Sequence, residues 1–347
     1  NAKPDDSSFS TVTNAFAKRG TPASAEKAEE ILTQMEELDL ADTDFTSSLN
    51  SVINAWAKSG APHAGEKADA LLQKALSGTR YTPNVITYTS CVEAHAQGEK
   101  GPEQAEAFLH KMIAAFQSGE IDVSPHTPTF NRAISAWAYS KRSDGPLRAQ
   151  ALLQLMDELS SAHSSSFKCR PNLSSYSFCV DAWTRNESSA DASTKALMLL
   201  HRMRDGNVAV KPDSFIYHNV IKGLARSSLS GVAGATTKVL EVFQLMEEEF
   251  WNGNRKSQPD HITCNIILSC LIREGNTKAA EKASELLDRM DEMYESGNTD
   301  VEPDSNTYRS VMETWVKSGD KQQATRKVLK LFDTVVKLDE DKNSRVR

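Results

Sequence analysis

Asn50–Gly60, NSVINAWAKSG, is one copy of a pattern that this chain of 347 residues carries eight times. With Asn50 as position 0, the equivalent residues are Ser10, Asn50, Thr89, Asn131, Ser177, His218, Asn265 and Arg309, spaced by 40, 39, 42, 46, 41, 47 and 44 residues. Position +2 is Val12, Val52, Cys91, Ala133, Cys179, Val220, Ile267 or Val311. Position +5 is small in most copies, as at Ala15, Ala55, Ala94 and Gly223. Position +6 is bulky: Phe16, Trp56, His95, Trp137, Trp183, Leu224, Leu271 and Trp315, so four of the five tryptophans fall at one site of the pattern. Position +8 is basic in six copies, Lys18, Lys58, Arg185, Arg226, Arg273 and Lys317, with Gln97 and Tyr139 in the other two. A proline stands six residues before position 0 in seven copies, from Pro4 to Pro303.

A period of this size marks a stacked repeat array. Proline leaves the residue before it extended and suits a helix entrance. Positions −1, +2, +3 and +6 then line one apolar stripe of a short first helix. A second amphipathic segment follows each copy, with the signature Ala-x-x-apolar-Leu/Phe-x-x-Met. Ala28, Ile31, Leu32 and Met35 form the first example; Val328, Leu331, Phe332 and Val335 form the last, a drifted one. The expected architecture is an all-α solenoid of about eight helix–turn–helix repeats. Approximate limits are 6–45, 46–84, 85–126, 127–172, 173–213, 214–260, 261–304 and 305–339, with a charged tail at 340–347 expected to fray. Ser160–Arg170 and Trp251–Gln258 read as surface loops, and Trp251, outside the pattern, is expected on the end of its own helix.

Each unit contacts only its neighbours, so the length predicts one elongated body rather than several domains. There are five cysteines and no CxxC motif; Cys91, Cys179, Cys264 and Cys270, on first-helix positions, read as buried apolar groups and Cys169 lies in a loop, which fits a reducing compartment rather than a disulfide framework. No apolar run approaches the roughly 20 residues of a membrane span. The chain begins at Asn1 within a repeat boundary and reads as trimmed, with any targeting segment out of view. The histidines do not share metal-ligand spacing with a cysteine pair, and the sequence has neither glycine loops for nucleotides nor deaminase signatures. No enzyme, cofactor, metal or small-molecule substrate is expected.

The net charge of −7 does not by itself favour a polyanion. It is, however, unevenly placed. The eight first-helix windows hold 12 Lys/Arg against 4 Asp/Glu, a net +8 that leaves −15 for the remainder. On a helix, positions 0, +4 and +8 fall at roughly 0°, 40° and 80°, with about 12 Å between position 0 and position +8 along the axis. Position 0 and the cation therefore share a stripe away from the apolar one. Repeated cations suit a phosphate backbone, and a variable polar residue per unit suits a reader of single-stranded bases. A helix C-terminal cation is also favoured by the macrodipole, and Ser, Asn and Thr suit helix starts, so both rows have an ordinary structural reading too.

Pro303-Asp304-Ser-Asn-Thr-Tyr308, Pro83-Asn84-Val-Ile-Thr-Tyr88 and Pro259-Asp260-His-Ile-Thr-Cys264, each running into the +2/+3/+5 pattern, resemble pentatricopeptide repeats across almost the whole chain. The tryptophan, glycine and proline landmarks do not fit tetratricopeptide repeats, and these repeats are longer than the pentatricopeptide family's usual ones. The resemblance implies a right-handed solenoid that binds single-stranded RNA with one base per repeat, read by two side chains. One reader matches position 0. The other matches the residue after the proline, five before the next position 0. Asn50 with Asn84, and Asn131 with Asn172, then imply pyrimidines; Ser177 with Asp213 implies guanine; Asn265 with Asp304 implies uracil. Thr89 with His126 and His218 with Asp260 imply no particular base. Ser10 pairs with Phe45 in strict register or with Asp44 after a slip, and Arg309 opens the last repeat. Lys18, Lys58, Arg185, Arg226, Arg273 and Lys317 are the expected phosphate-binding residues. The resemblance further implies a mitochondrial or plastid protein acting in RNA stabilisation, processing or translation. A protein-interaction scaffold within an organellar ribonucleoprotein, contacting protein partners, is the alternative raised by the acidic second helices.

Overall fold

The structure, a computed structural model, describes residues 6–37, 44–161, 166–186, 191–205, 210–229 and 234–345. Among these, sixteen α-helices follow one another: α1 Asp6–Ala17, α2 Pro22–Glu37, α3 Thr46–Lys58, α4 Ala64–Ser77, α5 Val85–His95, α6 Gly101–Gln117, α7 Thr127–Tyr139, α8 Gly145–Ser161, α9 Leu173–Arg185, α10 Ala192–Arg204, α11 Ser214–Leu229, α12 Ala235–Trp251, α13 His261–Glu274, α14 Thr277–Glu295, α15 Ser305–Lys317 and α16 Lys321–Arg345. Odd-numbered helices are the first helices of the pattern and even-numbered ones the second. The chain gathers into two compact units, Asn1–Ala182 and Trp183–Arg347. In the first unit α1, α3, α5 and α7 stack in order, and α2, α4 and α6 each pack against the odd helices before and after them. In the second unit α11, α13 and α15 stack in the same way, with α12 and α14 between them and α16 against α15.

The odd helices begin where the chain supplies a cap. Asn84 Oδ1 accepts from the Ile86 and Thr87 N–H groups, Asp260 Oδ1 from Thr263 N–H at 2.7 Å and Asp304 Oδ1 from Thr307 N–H at 2.7 Å. Each satisfies donors that the first turn leaves open. The copy without the proline departs from this. The residue before α3 is Phe45, fully buried, with its ring edge-on to Tyr81 at 6.3 Å. Asp44 accepts instead from Thr46 N–H at 2.9 Å. Burial of Phe45 rules out its side chain as a surface reader for the first repeat.

The apolar stripes of α1 to α6 make one continuous core. Val52, Ile53, Trp56, Leu32 and Met35 are buried together in it, at about 1.5–3 kcal/mol for each large side chain removed from water. The bulky +6 residue reaches the even helix of the preceding repeat. Trp56 Nε1 donates to Glu29 at 3.0 Å, His95 Nε2 lies 2.9 Å from Asp69, and Trp315 Nε1 donates to Ser284 Oγ at 2.8 Å. Glu29, Asp69 and Ser284 all stand one residue after the alanine of the even-helix signature. Where +6 is leucine, at Leu224 and Leu271, the same even-helix position is Leu197 and Leu240. Ring N–H is thus matched with a polar partner and leucine with leucine, as burial of a polar group requires. Trp137 is the exception: its Nε1 is buried without a partner, and Arg142 and Arg148 cover its ring at 5.3 and 5.5 Å. Gly65 lets His95 come close, since a Cβ there would stand 2.4 Å from His95 Nδ1.

Three features differ from what the sequence leads one to expect. α16 runs on to Arg345, because neither glycine nor proline follows Gly319 to end it, so the charged 340–345 stretch is helical. Cys169 is buried although it lies in a connection; burial pushes its thiol up to about 11. Trp251 packs edge-on against Phe250 at the end of α12 but stays exposed. Residues 162–165 of the serine-rich connection lie outside the described residues. All five cysteines are free and buried, and no described helix is long and apolar enough to cross a membrane.

The matching of +6 with the even helix has a measurable consequence. Trp315→Leu alone strands the Ser284 hydroxyl, and Ser284→Leu alone strands the indole N–H. The double variant rebuilds the leucine pair found between α12 and α13. Urea unfolding is expected to give a favourable coupling of about 1 kcal/mol between the two substitutions; strict additivity would contradict the matching rule.

Candidate nucleic-acid interface

The residues expected to act in pairs come together through a third side chain. Asn50 Nδ2 donates to Asn84 Oδ1 at 3.4 Å, while Thr87 Oγ donates to Asn50 Oδ1 at 2.6 Å. Thr87 is the third helical residue of α5, and its hydroxyl also closes the capping box with Asn84. The arrangement recurs. Asn131 Nδ2 donates to Asn172 Oδ1 at 3.2 Å, and Ser175 Oγ, again capping, donates to Asn131 Oδ1 at 2.7 Å. In the second unit Thr307 Oγ lies 3.3 Å from Asn265 Oδ1 and 2.8 Å from Asp304 Oδ1, so it bridges both. Thr263 Oγ bonds His218 Nδ1 at 3.2 Å, and its own N–H donates to Asp260.

The hydroxyl that joins these pairs stands two residues before position 0, and it is fully buried at Thr87, Thr129, Ser175, Thr263 and Thr307. Sequence reasoning missed it. The signal was present: seven of the eight copies have Ser or Thr there, which is the third position of a capping box.

Elsewhere the partners differ. Thr89 Oγ meets Thr129 Oγ at 2.8 Å, but the His126 ring turns to the Ser124 carbonyl at 2.8 Å and is not brought to Thr89. Ser10 and Ser177 bond backward to the carbonyls of Ser7 and Leu173. Asp213 caps α11 through Ile216 N–H at 3.1 Å, and Ile216 has no hydroxyl to offer a neighbour. Arg309 is exposed and donates to Asn306 Oδ1 at 3.2 Å.

Position 0 is half-buried rather than open, Arg309 excepted, and at Asn50, Thr89, Asn131, His218 and Asn265 a first-turn hydroxyl of the next odd helix leans on it. The six +8 cations are all exposed and all stand at helix C-termini. Several have local work. Arg226 Nη1 donates to Thr184 O at 3.2 Å; Gln97, at the same position of α5, donates to Ala57 O at 2.8 Å. Both satisfy a carbonyl seven residues past position 0 of the preceding odd helix, an end that the helix leaves open. Arg273 Nε bonds Ser269 O, and Lys317 pairs with Glu313 at 2.9 Å. Lys18 and Lys58 point into solvent at the ends of α1 and α3.

In the first unit, Asn50, Asn54, Ile86, Thr89, Glu93 and Arg132 line a groove of about 490 Å³. Glu93 and Arg132 pair across it at 3.2 Å. Ile86 is exposed, as are Phe215 and Ile262, each three residues before position 0. These apolar first-turn side chains, also missed in the sequence, offer flat or aliphatic faces beside the polar pairs. Two protonation states are set by the site. Burial alone would raise the Asp304 carboxyl, but the Thr307 N–H, the Thr307 hydroxyl and Asn306 together hold it below its ordinary value, so it is an acceptor. Burial, with Lys222 and against Asp260, pushes the His218 imidazole down and keeps it neutral at pH 7. Among the described residues no group of His, Cys, Asp and Glu is arranged to hold a metal.

No family model matches the chain. A pentatricopeptide repeat-containing protein of Arabidopsis thaliana is 22% identical over 233 residues, covering 59% of this chain and 36% of that protein. The crystal structure of the maize pentatricopeptide repeat protein PPR10 matches with a TM-score of 0.50 at 18% identity, over 98% of this chain and 45% of that one. PPR10 in complex with an 18-nucleotide psaJ RNA element matches with a TM-score of 0.34 at 14% identity, over 94% of this chain and 53% of that one. The chain thus spans between a third and a half of the length of the Arabidopsis protein and the first maize chain. The all-α helical-repeat fold is that of a pentatricopeptide repeat protein, and the resemblance read from Pro303–Tyr308 and its sister copies stands.

Thr307→Val removes the bridging hydroxyl but keeps the backbone N–H. It should lower stability by about 1 kcal/mol. A depressed carboxyl contributes stability that is present above its unfolded value of about 3.9 and lost as pH falls through the folded value. The acid limb of the stability profile, measured by urea unfolding across pH 2–5, roughly the span of ordinary carboxyl titration, should therefore be shallower in Thr307→Val than in the parent. An unchanged limb would show that the hydroxyl does not hold Asp304.

Proposed function

We propose that the first-turn face of the odd helices binds single-stranded RNA, one base per repeat, each base read by position 0 and the cap residue of the following odd helix. The observation that carries this reading is the hydroxyl-locked pair. In Asn50–Asn84, Thr87 occupies the Asn50 carbonyl and Asn50 occupies that of Asn84. The free groups are therefore amide N–H donors, complementary to the O2 carbonyl that uracil and cytosine share. Asn131–Asn172 has the same free groups. In Asn265–Asp304 the ionised Asp304 accepts, so it suits the N3–H of uracil and disfavours cytosine, which carries a lone pair there. Ser177 with Asp213 is assigned to guanine on the resemblance alone. Ile86, Phe215 and Ile262 supply apolar surface against which bases pack. The resemblance extends the proposal to an organellar protein, in mitochondrion or plastid, that stabilises, processes or promotes translation of its RNA.

A second reading, a scaffold for protein partners in a ribonucleoprotein, is favoured by one local observation. α5 and α7 have Gln97 and Tyr139 in place of cations, and Glu93 occupies the groove there.

Affinity for a pyrimidine-rich strand should fall with salt. Lys18→Gln with Lys58→Gln should weaken binding to all sequences alike and reduce the log–log slope by about 1 for each phosphate no longer neutralised. Asn265→Ser should instead alter preference at one position by about 1 kcal/mol or more. A slope near zero, together with a stoichiometric protein partner that resists nuclease, would replace the RNA reading with the scaffold.

A further inference from the structure

The third repeat has a position 0 without its expected mate, and beside it a charged pair that the repeat pattern does not call for. Thr89 Oγ is joined to Thr129 Oγ, and the His126 ring faces the Ser124 carbonyl. Four residues on along α5, and therefore on the stripe of position 0, stands Glu93. Its partner is Arg132, the residue after position 0 of α7, whose Nε lies 3.2 Å from Glu93 Oε2. Among the described residues neither takes a second ionic partner. The corresponding residues of other copies are neutral or carry a single charge, as Asn54 with Ser90, Ser135 with Phe178 and Lys222 with Ile266; in no other copy are both charged. The Glu93 and Arg132 side chains are 22% and 51% exposed, so the pair stands in the wall of the groove between α5 and α7 and not beneath it.

That groove has the form of a site for a planar ring. Ile86 and Pro128, each three residues before position 0 of its own helix, are both exposed and both line it. They offer aliphatic faces to a ring plane, while Glu93 and Arg132 offer polar groups to a ring edge. A volume of about 490 Å³ is ample for a base. Asn50 lines the same groove, so the site adjoins the first hydroxyl-locked pair.

We infer that the third repeat reads a guanine, through Glu93 and Arg132 in place of Thr89 and His126. The inference rests on the RNA reading proposed above and names the base and the side chains for a repeat that the resemblance leaves without an assignment. An ionised carboxylate only accepts and a guanidinium only donates. The Watson–Crick edge of guanine presents two adjacent donors, N1–H and N2–H, with the O6 acceptor beside them. The two Glu93 oxygens take the donors and Arg132 gives an N–H to O6. The ion pair thus opens into three charge-assisted bonds, and neither charge is left without a partner. Uracil places its one donor between two acceptors, and adenine and cytosine each turn one donor to the carboxylate, so all three leave an oxygen unmatched. A carboxylate on this face repels phosphate, and α5 and α7 have Gln97 and Tyr139 where other odd helices have cations. Base contact therefore takes over where backbone contact is weakest.

Selection of bound strands from a randomised RNA pool, followed by sequencing, tests this together with its neighbours. The parent chain should enrich a guanine flanked on each side by a pyrimidine, the flanks reporting Asn50–Asn84 and Asn131–Asn172. This core has the same form in either strand direction. Glu93→Gln should lower the preference for that guanine by about tenfold, with the flanking pyrimidines still selected, which also shows that the variant is folded. Arg132→Ala should lose the same guanine. A parent that selects the pyrimidines around an unconstrained nucleotide would overturn the inference and leave the RNA reading standing. So would variants that bind all strands more weakly with the guanine still selected, the result of a purely structural ion pair. A parent that selects no pyrimidine at either flank would overturn the RNA reading itself, and this inference with it.

Discussion

No helix pair in this chain can bury its own apolar faces; each depends on the pair that follows. The odd helix carries an aliphatic or cysteine side chain at +2 and a bulky one at +6, and both disappear only when an even helix stands across from them. This one constraint orders the rest. It places successive odd helices side by side, and it decides which ring nitrogen must find an oxygen. It leaves the opposite face of each odd helix, with its first turn and its C-terminus, free of packing duty.

That face is not simply left over. The first turn of an odd helix needs acceptors for its open N–H groups, and Asn, Asp or a neighbouring hydroxyl supplies them. The hydroxyl at the third helical position has spare capacity, and in the third, fifth and eighth repeats it holds the position-0 side chain of the repeat before. Capping and pairing are thereby one network. A side chain fixed in this way loses little freedom when it meets a ligand, which is how a weak contact per repeat becomes useful over several repeats. The same network explains why position 0 is half-buried, and why replacing the hydroxyl by Ile216 leaves Asp213 with a capping role alone.

Much of this was legible in the sequence because it is periodic. Trp56, Trp137, Trp183 and Trp315 disclose the buried stripe, Pro83 and its equivalents disclose the helix entrances, and the charge split points to the opposite face. The joining hydroxyl was less legible: Thr87 and Thr307 look like ordinary capping residues until a side chain from another repeat is seen on them. The first repeat misled because it lacks the proline, and Phe45 stands in register yet packs in the core. The cation row was legible as a row but not as chemistry, since Arg226 and the neutral Gln97 do the same carbonyl-capping work.

The central claim is that the hydroxyl-locked side chains lie where bases sit. Photocrosslinking with a strand containing 4-thiouridine, followed by mass spectrometry of the joined peptides, tests it most directly. The account predicts crosslinks concentrated in the first turns of the odd helices, around Asn50, Ile86, Ile262 and Asn265. Crosslinks confined to the even helices, or spread without regard to helix, would contradict it.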